Sequence, residues 1–195
     1  MTHFIEWCHA GFGFWPNLLK QLSCLIVIAG IALMTGLGYT HPLGNFSINR
    51  YSCLEPGIDE LVIYYVVDMA EIAALQEKGA IDTDQNGEID KEESSRYLDQ
   101  KAEVLRLGLS VQMNEKPARL EIIEKEISYP TGQGGLSTLR MELTLIAPLP
   151  PFSSARPLRI SYVDSNYGQR LGWKEVVARA GKNVELAESS VPRTG

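Results

Sequence analysis

From residue 41 onward, apolar and polar residues mostly change places every second position. The segment HPLGNFSINRYSCLE (41–55) sets Phe46 and Ile48 between polar neighbours, which predicts a strand. Pro56-Gly57 marks a turn. LVIYYVV (61–67) is a continuous β-branched and aromatic run, the pattern of a central strand covered on both faces. The period then changes. In MAEIAALQEKGA (69–80), Ile72, Leu75 and Gln76 fall at helical spacing. KEESSRYLDQKAEVLRLGL (91–109) is helical again, with Tyr97, Leu98, Val104 and Leu105 as its stripe.

Strand patterns return beyond residue 108. LSVQMN (109–114), ARLEII (118–123) and EIS (126–128) are short alternating segments, with Glu115-Lys116-Pro117 as a turn. LRMELTLIA (139–147) sends Leu139, Met141, Leu143 and Leu145 to one face and Arg140, Glu142 and Thr144 to the other. LRISYVD (158–164) groups Leu158, Ile160 and Tyr162. Residues 174–190 are expected to form a hairpin turning at Gly181-Lys182-Asn183. The fold class this predicts is mainly β: an antiparallel β-sandwich of about seven to eight strands with a helix–loop–helix inserted over 69–107. The β-domain spans 41–190, and residues 191–195 are expected to be an unstructured tail.

An N-terminal apolar helix is expected ahead of this domain. No Lys, Arg, Asp or Glu occurs from Gln21 to Asn49, and LIVIAGIALMTGLG (25–38) follows Lys20 and ends in small residues. Residues 1–40 therefore read as a signal peptide, or as a membrane anchor if the apolar span is counted from Leu18 to Tyr39. Either reading exports the remainder to a periplasmic or extracellular face. Cys8 and Cys24 lie in this segment, so Cys53 is the single cysteine beyond it and reads as a strand residue.

Charge directs attention to one loop. The chain carries a net charge of −6, which argues against nucleic acid as a partner. Residues 82–93, DTDQNGEIDKEE, hold six acids and one base, so a net of −5 sits in twelve positions. Such crowding is relieved by a cation or by solvent. The run matches the EF-hand loop, which takes ligands at positions 1, 3, 5, 7, 9 and 12 around a glycine at 6. Asp82, Asp84 and Asn86 supply side-chain oxygens at 1, 3 and 5, and Gly87 stands at 6. Glu88 supplies its main-chain carbonyl at 7, Asp90 binds at 9 directly or through water, and Glu93 is the bidentate ligand at 12. Calcium, a hard ion accepting 6–8 oxygens, fits this set better than magnesium. The competing reading is an acidic turn in which Asp90 caps the second helix, but it leaves Gly87, Ile89 and Glu93 unexplained together.

Other candidate chemistry is thin. His41 is the only histidine beyond the leader; as a new N-terminus it offers an amine and an imidazole to a transition metal. DSNYGQRLGWKE (164–175) places Asp164, Asn166 and Glu175 at loop positions 1, 3 and 12 but has Gln169 at 6, and reads as a structured loop. GQGG (132–135) lacks the Lys-Ser/Thr of a phosphate loop. One His and one Cys assemble no nucleophilic triad, so the domain reads as non-catalytic.

HPLGNFSINRYSCLE (41–55), YYVVDMAEIAALQE (64–77), GQGGLSTLR (132–140) and DSNYGQRLGWKEVVARAG (164–181) together resemble the exported N-terminal region of bacterial membrane proteins of the NicO nickel/cobalt transporter type. In that family the region precedes a multi-helix membrane part, and residues 41–190 resemble the region ahead of it. The resemblance implies a metal-transport setting, with a transporter membrane domain as partner and the membrane reached through the N-terminal segment. Two roles follow: a calcium-binding accessory or sensor module, or a domain delivering nickel, cobalt or copper through His41. A calcium-stabilised surface domain is the plainer alternative.

Overall fold

In the computed structural model, residues 46–153 and 155–194 are described. The predicted N-terminal apolar helix and His41 lie outside them. No helix among the described residues is long and apolar enough to cross a membrane.

Among the described residues the chain is mainly β, with eight strands in two sheets and two α-helices. The strands are β1 (Ile48–Pro56), β2 (Glu60–Met69), β3 (Leu109–Met113), β4 (Lys116–Ala118), β5 (Glu121–Ser128), β6 (Leu139–Pro148), β7 (Ile160–Asp164) and β8 (Lys174–Ala178). Helices α1 (Glu71–Ile81) and α2 (Lys91–Leu107) are inserted between β2 and β3, as the change of period predicts. The larger sheet runs β5-β6-β2-β1-β8 and the smaller β4-β3-β7.

Register divides the larger sheet into two unlike faces. Arg50, Ser52 and Leu54 of β1 oppose Val67, Tyr65 and Ile63 of β2, which oppose Met141, Leu143 and Leu145 of β6. This face is the core: Ile63, Val67, Met141 and Leu145 are fully buried. The helices contribute Ala73, Ala74, Ile81, Leu98, Ala102 and Leu105 to the same cluster, and the smaller sheet contributes Leu109, Val111 and Met113. Each such aliphatic side chain removed from water is worth about 1.5–3 kcal/mol. On the opposite face, Tyr51 and Cys53 stand beside Val66 and Tyr64, and these beside Glu142 and Thr144.

Four expectations are corrected here. Among the described residues β2 is covered on one face; its outward Val62, Tyr64 and Val66 are partly or fully exposed. In α1 the buried side is Ala73, Ala74 and Ile81, while Leu75 is 51% exposed and Gln76 also faces solvent. Two alanines let this helix approach the sheet closely, which a search for large apolar residues does not detect. Lys116 and Pro117 already belong to β4, and the turn falls at Asn114-Glu115, both at positive φ. Finally, 174–190 is not a hairpin. β8 pairs in parallel with β1, making the larger sheet mixed rather than wholly antiparallel. Beyond it the chain keeps following β1, with Arg179 N–H bonded to Leu54 O and Gly181 N–H to Pro56 O. In the C-terminal residues, Ala178 and Arg193 form an isolated bridge.

The approach to β8 depends on one glycine. Gly172 has φ +146°, and a Cβ there would stand 2.1 Å from the carbonyl oxygen of Ile48. The obstacle is backbone at the start of β1, which cannot rotate aside. Gly172→Ala is expected to lower stability by about 2 kcal/mol or more. Urea unfolding checks this; a midpoint equal to the parent's would show that the segment has room to shift.

Candidate metal centre

The loop between α1 and α2 is shaped by its own carboxylates. The last turn of α1 buries Ile81, and Asp82, 9% exposed, ends the helix with its N–H on Lys78 O. Its two oxygens then gather the loop: Oδ1 accepts from Asn86 N–H at 3.1 Å and Oδ2 from Gly87 N–H at 3.0 Å. Asp84 accepts from the same Asn86 N–H at 3.0 Å and from the Asn86 side-chain amide at 2.9 Å. Reversing the chain this tightly places Gln85 at φ 60° and Gly87 at φ 89°. Glycine takes that conformation without steric cost, whereas Gln85 is held there by its neighbours' hydrogen bonds. The Lys78 amine bonds to the Gly87 carbonyl, tying the turn back to α1.

Glu93 closes the loop from the other side and is 4% exposed. Its Oε1 accepts from Thr83 N–H at 2.7 Å, Thr83 Oγ1 at 3.0 Å and Asp84 N–H at 3.3 Å. Its Oε2 accepts from Asp90 N–H at 3.2 Å, and Asp90 Oδ1 accepts from Glu93 N–H at 2.8 Å. The last two bonds form a capping box at the start of α2. Burial would raise the Glu93 pKa, but the bonds from Thr83, Asp90 and Asp84 outweigh it and hold it below the usual glutamate value. A carboxylate with a depressed folded pKa stabilises the fold above its unfolded pKa, and that contribution is lost as pH falls through the folded one.

Asp82, Asp84 and Glu93 are the predicted ligands that this geometry brings together: one oxygen from each lies within 4.8 Å of the others. Asn86 and Asp90 are engaged differently. Asn86 Oδ1 accepts from Glu88 N–H at 2.7 Å, and Asp90 caps α2, as the capping reading expects. The Glu88 side chain is exposed, in keeping with a residue expected to act through its carbonyl. Ile89 packs against the core, fastening the loop between the helices. Three converging carboxylates and no nitrogen or sulfur donor suit a hard cation held by oxygen. The cluster can hold a metal ion.

The two helices that carry the loop are joined below it. Tyr97 Oη donates to Glu77 at 2.5 Å, and Lys101 pairs with the same carboxylate at 3.1 Å. Lys101 also lies 5.6 Å from the ring centre of Tyr167, and Arg170 donates to Gln76 at 2.9 Å, so both helices grip the loop after β7. That loop carries the weaker ligand spacing of residues 164–175. Its Asp164 is buried in an ion pair with Arg50. GQGG forms a short 3-10 turn whose Gln133 N–H bonds to Glu71 at 2.7 Å; this bond lowers the Glu71 pKa. Lys78 and Thr83 are loop-shaping residues that ligand spacing does not reveal, because neither occupies a ligand position.

No protein-family model, curated protein or solved structure matches this chain.

Proposed function

We propose that residues 82–93 bind calcium as a single EF-hand loop inserted in an incomplete β-sandwich, and that the domain is an exported, non-catalytic accessory or sensor module of a membrane metal transporter. The convergence of Asp82, Asp84 and Glu93 oxygens within 4.8 Å carries the calcium reading. The spacing of Asp82, Asp84, Asn86, Glu88, Asp90 and Glu93 supports the choice of ion. The transporter setting rests on the sequence resemblance alone.

The metal's role in this reading is structural. It joins the end of α1 to the start of α2 and neutralises a loop of net charge −5. A lone loop in an exported module works at about 10⁻⁴ to 10⁻³ M. At a hundredfold excess over its dissociation constant, a ligand stabilises the folded state by about 2.7 kcal/mol. For a domain of this size that is about 5–10 °C in Tm. Calorimetry with calcium, magnesium and nickel, paired with thermal melts, tests the proposal. Calcium heat with a matching rise in Tm is expected. Absence of both sinks the calcium reading, and tight nickel binding that needs His41 replaces it with metal delivery.

A further inference from the structure

We infer that the outer face of the larger sheet is a docking surface for a basic protein partner. β2 is apolar at both parities, which is the pattern of a strand covered on both sides. The inner parity is satisfied: Leu61, Ile63 and Val67 are fully buried. The outer parity is not. Val62 and Val66 are partly exposed, and Tyr64 is 39% exposed. Tyr51 of β1 and Ile146 of β6 extend the same strip by register and are also partly exposed. The described side-chain bonds on this face stay within it, as in Arg140 with Asp68 and Glu142, or Thr144 with Glu124.

Charge identifies the occupant. Glu126, Glu124 and Glu121 of β5 stand beside Glu142, Thr144 and Ile146, so four carboxylates flank the apolar strip. Glu121 and Glu126 have no ion pair among the described residues. Acids on an edge strand deter strand-to-strand aggregation. That duty accounts for β5 but leaves the apolar strip at the sheet's centre without a purpose. A second copy would bring a net charge of −6, and residues 1–45 carry only Glu6 and Lys20, so neither answers the carboxylates. An anionic membrane is repelled for the same reason. A partner with its own apolar strip bordered by Lys or Arg satisfies both halves of the face. With strands about 4.8 Å apart and like-facing residues about 6.8 Å apart, the face covers roughly 500 Å². That is below the ~800 Å² per partner of a standard interface, so the contact is transient and salt-sensitive.

The test uses the full chain, saturated with calcium, and a fluorescent octapeptide alternating lysine and valine. Binding is expected at low salt, about tenfold tighter than a lysine–serine or glutamate–valine octapeptide. Glu124→Lys with Glu126→Lys, and separately Val66→Thr with Tyr64→Ser, are each expected to weaken it about tenfold with an unchanged circular dichroism spectrum. Glu115→Lys in the exposed turn between β3 and β4 is expected to leave it within about twofold. Equal binding of the lysine–serine peptide, loss of binding through Glu115→Lys, or indifference to the face variants overturns the inference. So does self-association of the protein alone that Val66→Lys abolishes, or cross-linking of a photoreactive residue at position 64 to residues 1–45.

Discussion

Glu93→Ala is expected to abolish the calcium heat that the parent chain gives. Glu93 serves the loop in two ways. It is the only ligand expected to contribute two oxygens, and its carboxylate already accepts bonds from Thr83, Asp84 and Asp90. Removing it takes away the ligand at position 12 and half of the capping box, so α2 loses about 1 kcal/mol of N-terminal support as well. Glu93→Gln separates the effects. The amide oxygen still accepts from Thr83 N–H, but one negative charge and one oxygen are gone. Calcium affinity is expected to fall by about a hundredfold, close to 2.8 kcal/mol, while helix content is kept. Asp90→Asn is the milder comparison: asparagine still caps α2, and position 9 often binds through water, so a loss of about tenfold or less is expected. If Glu93→Ala titrates like the parent, the loop is an acidic turn held by its caps, and the metal reading is wrong.

The contrast between that loop and the sheets shows what this sequence encodes locally. Ligand spacing in 82–93 is a local property, because every predicted ligand lies within one turn of chain. Asp82, Asp84 and Glu93 could therefore be named from order alone. β6 was legible for a similar reason: strict alternation from Leu139 to Leu145 leaves one possible core face. β8 was not legible. Lys174–Ala178 pairs with Arg50–Leu54, more than a hundred residues away, and no turn signal near Gly181 records that choice. The burial of α1 through Ala73 and Ala74 was hidden because close packing there uses small side chains, while Leu75 projects into water. β2 was read correctly as apolar on both sides, yet the described residues cover one side only. Propensity and pattern specify which surfaces avoid water; they do not say whether the cover comes from the same chain.

The largest effect on stability is expected at a residue that the loop pattern at 164–175 had placed at a weak metal position. Asp164 ends β7 with a fully buried side chain, paired with Arg50 Nε at 3.0 Å. It also accepts from Tyr65 Oη at 3.3 Å and from Asn166 N–H at 2.9 Å. Arg50 in turn donates to Tyr167 O at 3.2 Å, and Asn166 reaches Leu105 O at 2.9 Å. One carboxylate thus joins β1, β2, β7 and, through Asn166, the last turn of α2. Burial, together with this carboxylate's charge, pushes the Tyr65 hydroxyl's pKa far up, so it remains a donor across the accessible pH range. Asp164→Ala leaves the Arg50 guanidinium buried at 9% exposure without its counter-charge. Such a loss costs about 3–5 kcal/mol, whereas replacing both members of a buried pair by apolar groups is often close to neutral. With a urea m-value of about 2 kcal/mol/M, the midpoint should fall by about 2 M. Adding Arg50→Met to Asp164→Leu should recover most of that fall. Urea titrations of Asp164→Leu, Arg50→Met and the variant carrying both form the cycle that measures the coupling. A drop of less than about 0.5 M for Asp164→Ala would mean that water reaches Arg50 and that the pair is not the joint between the two sheets.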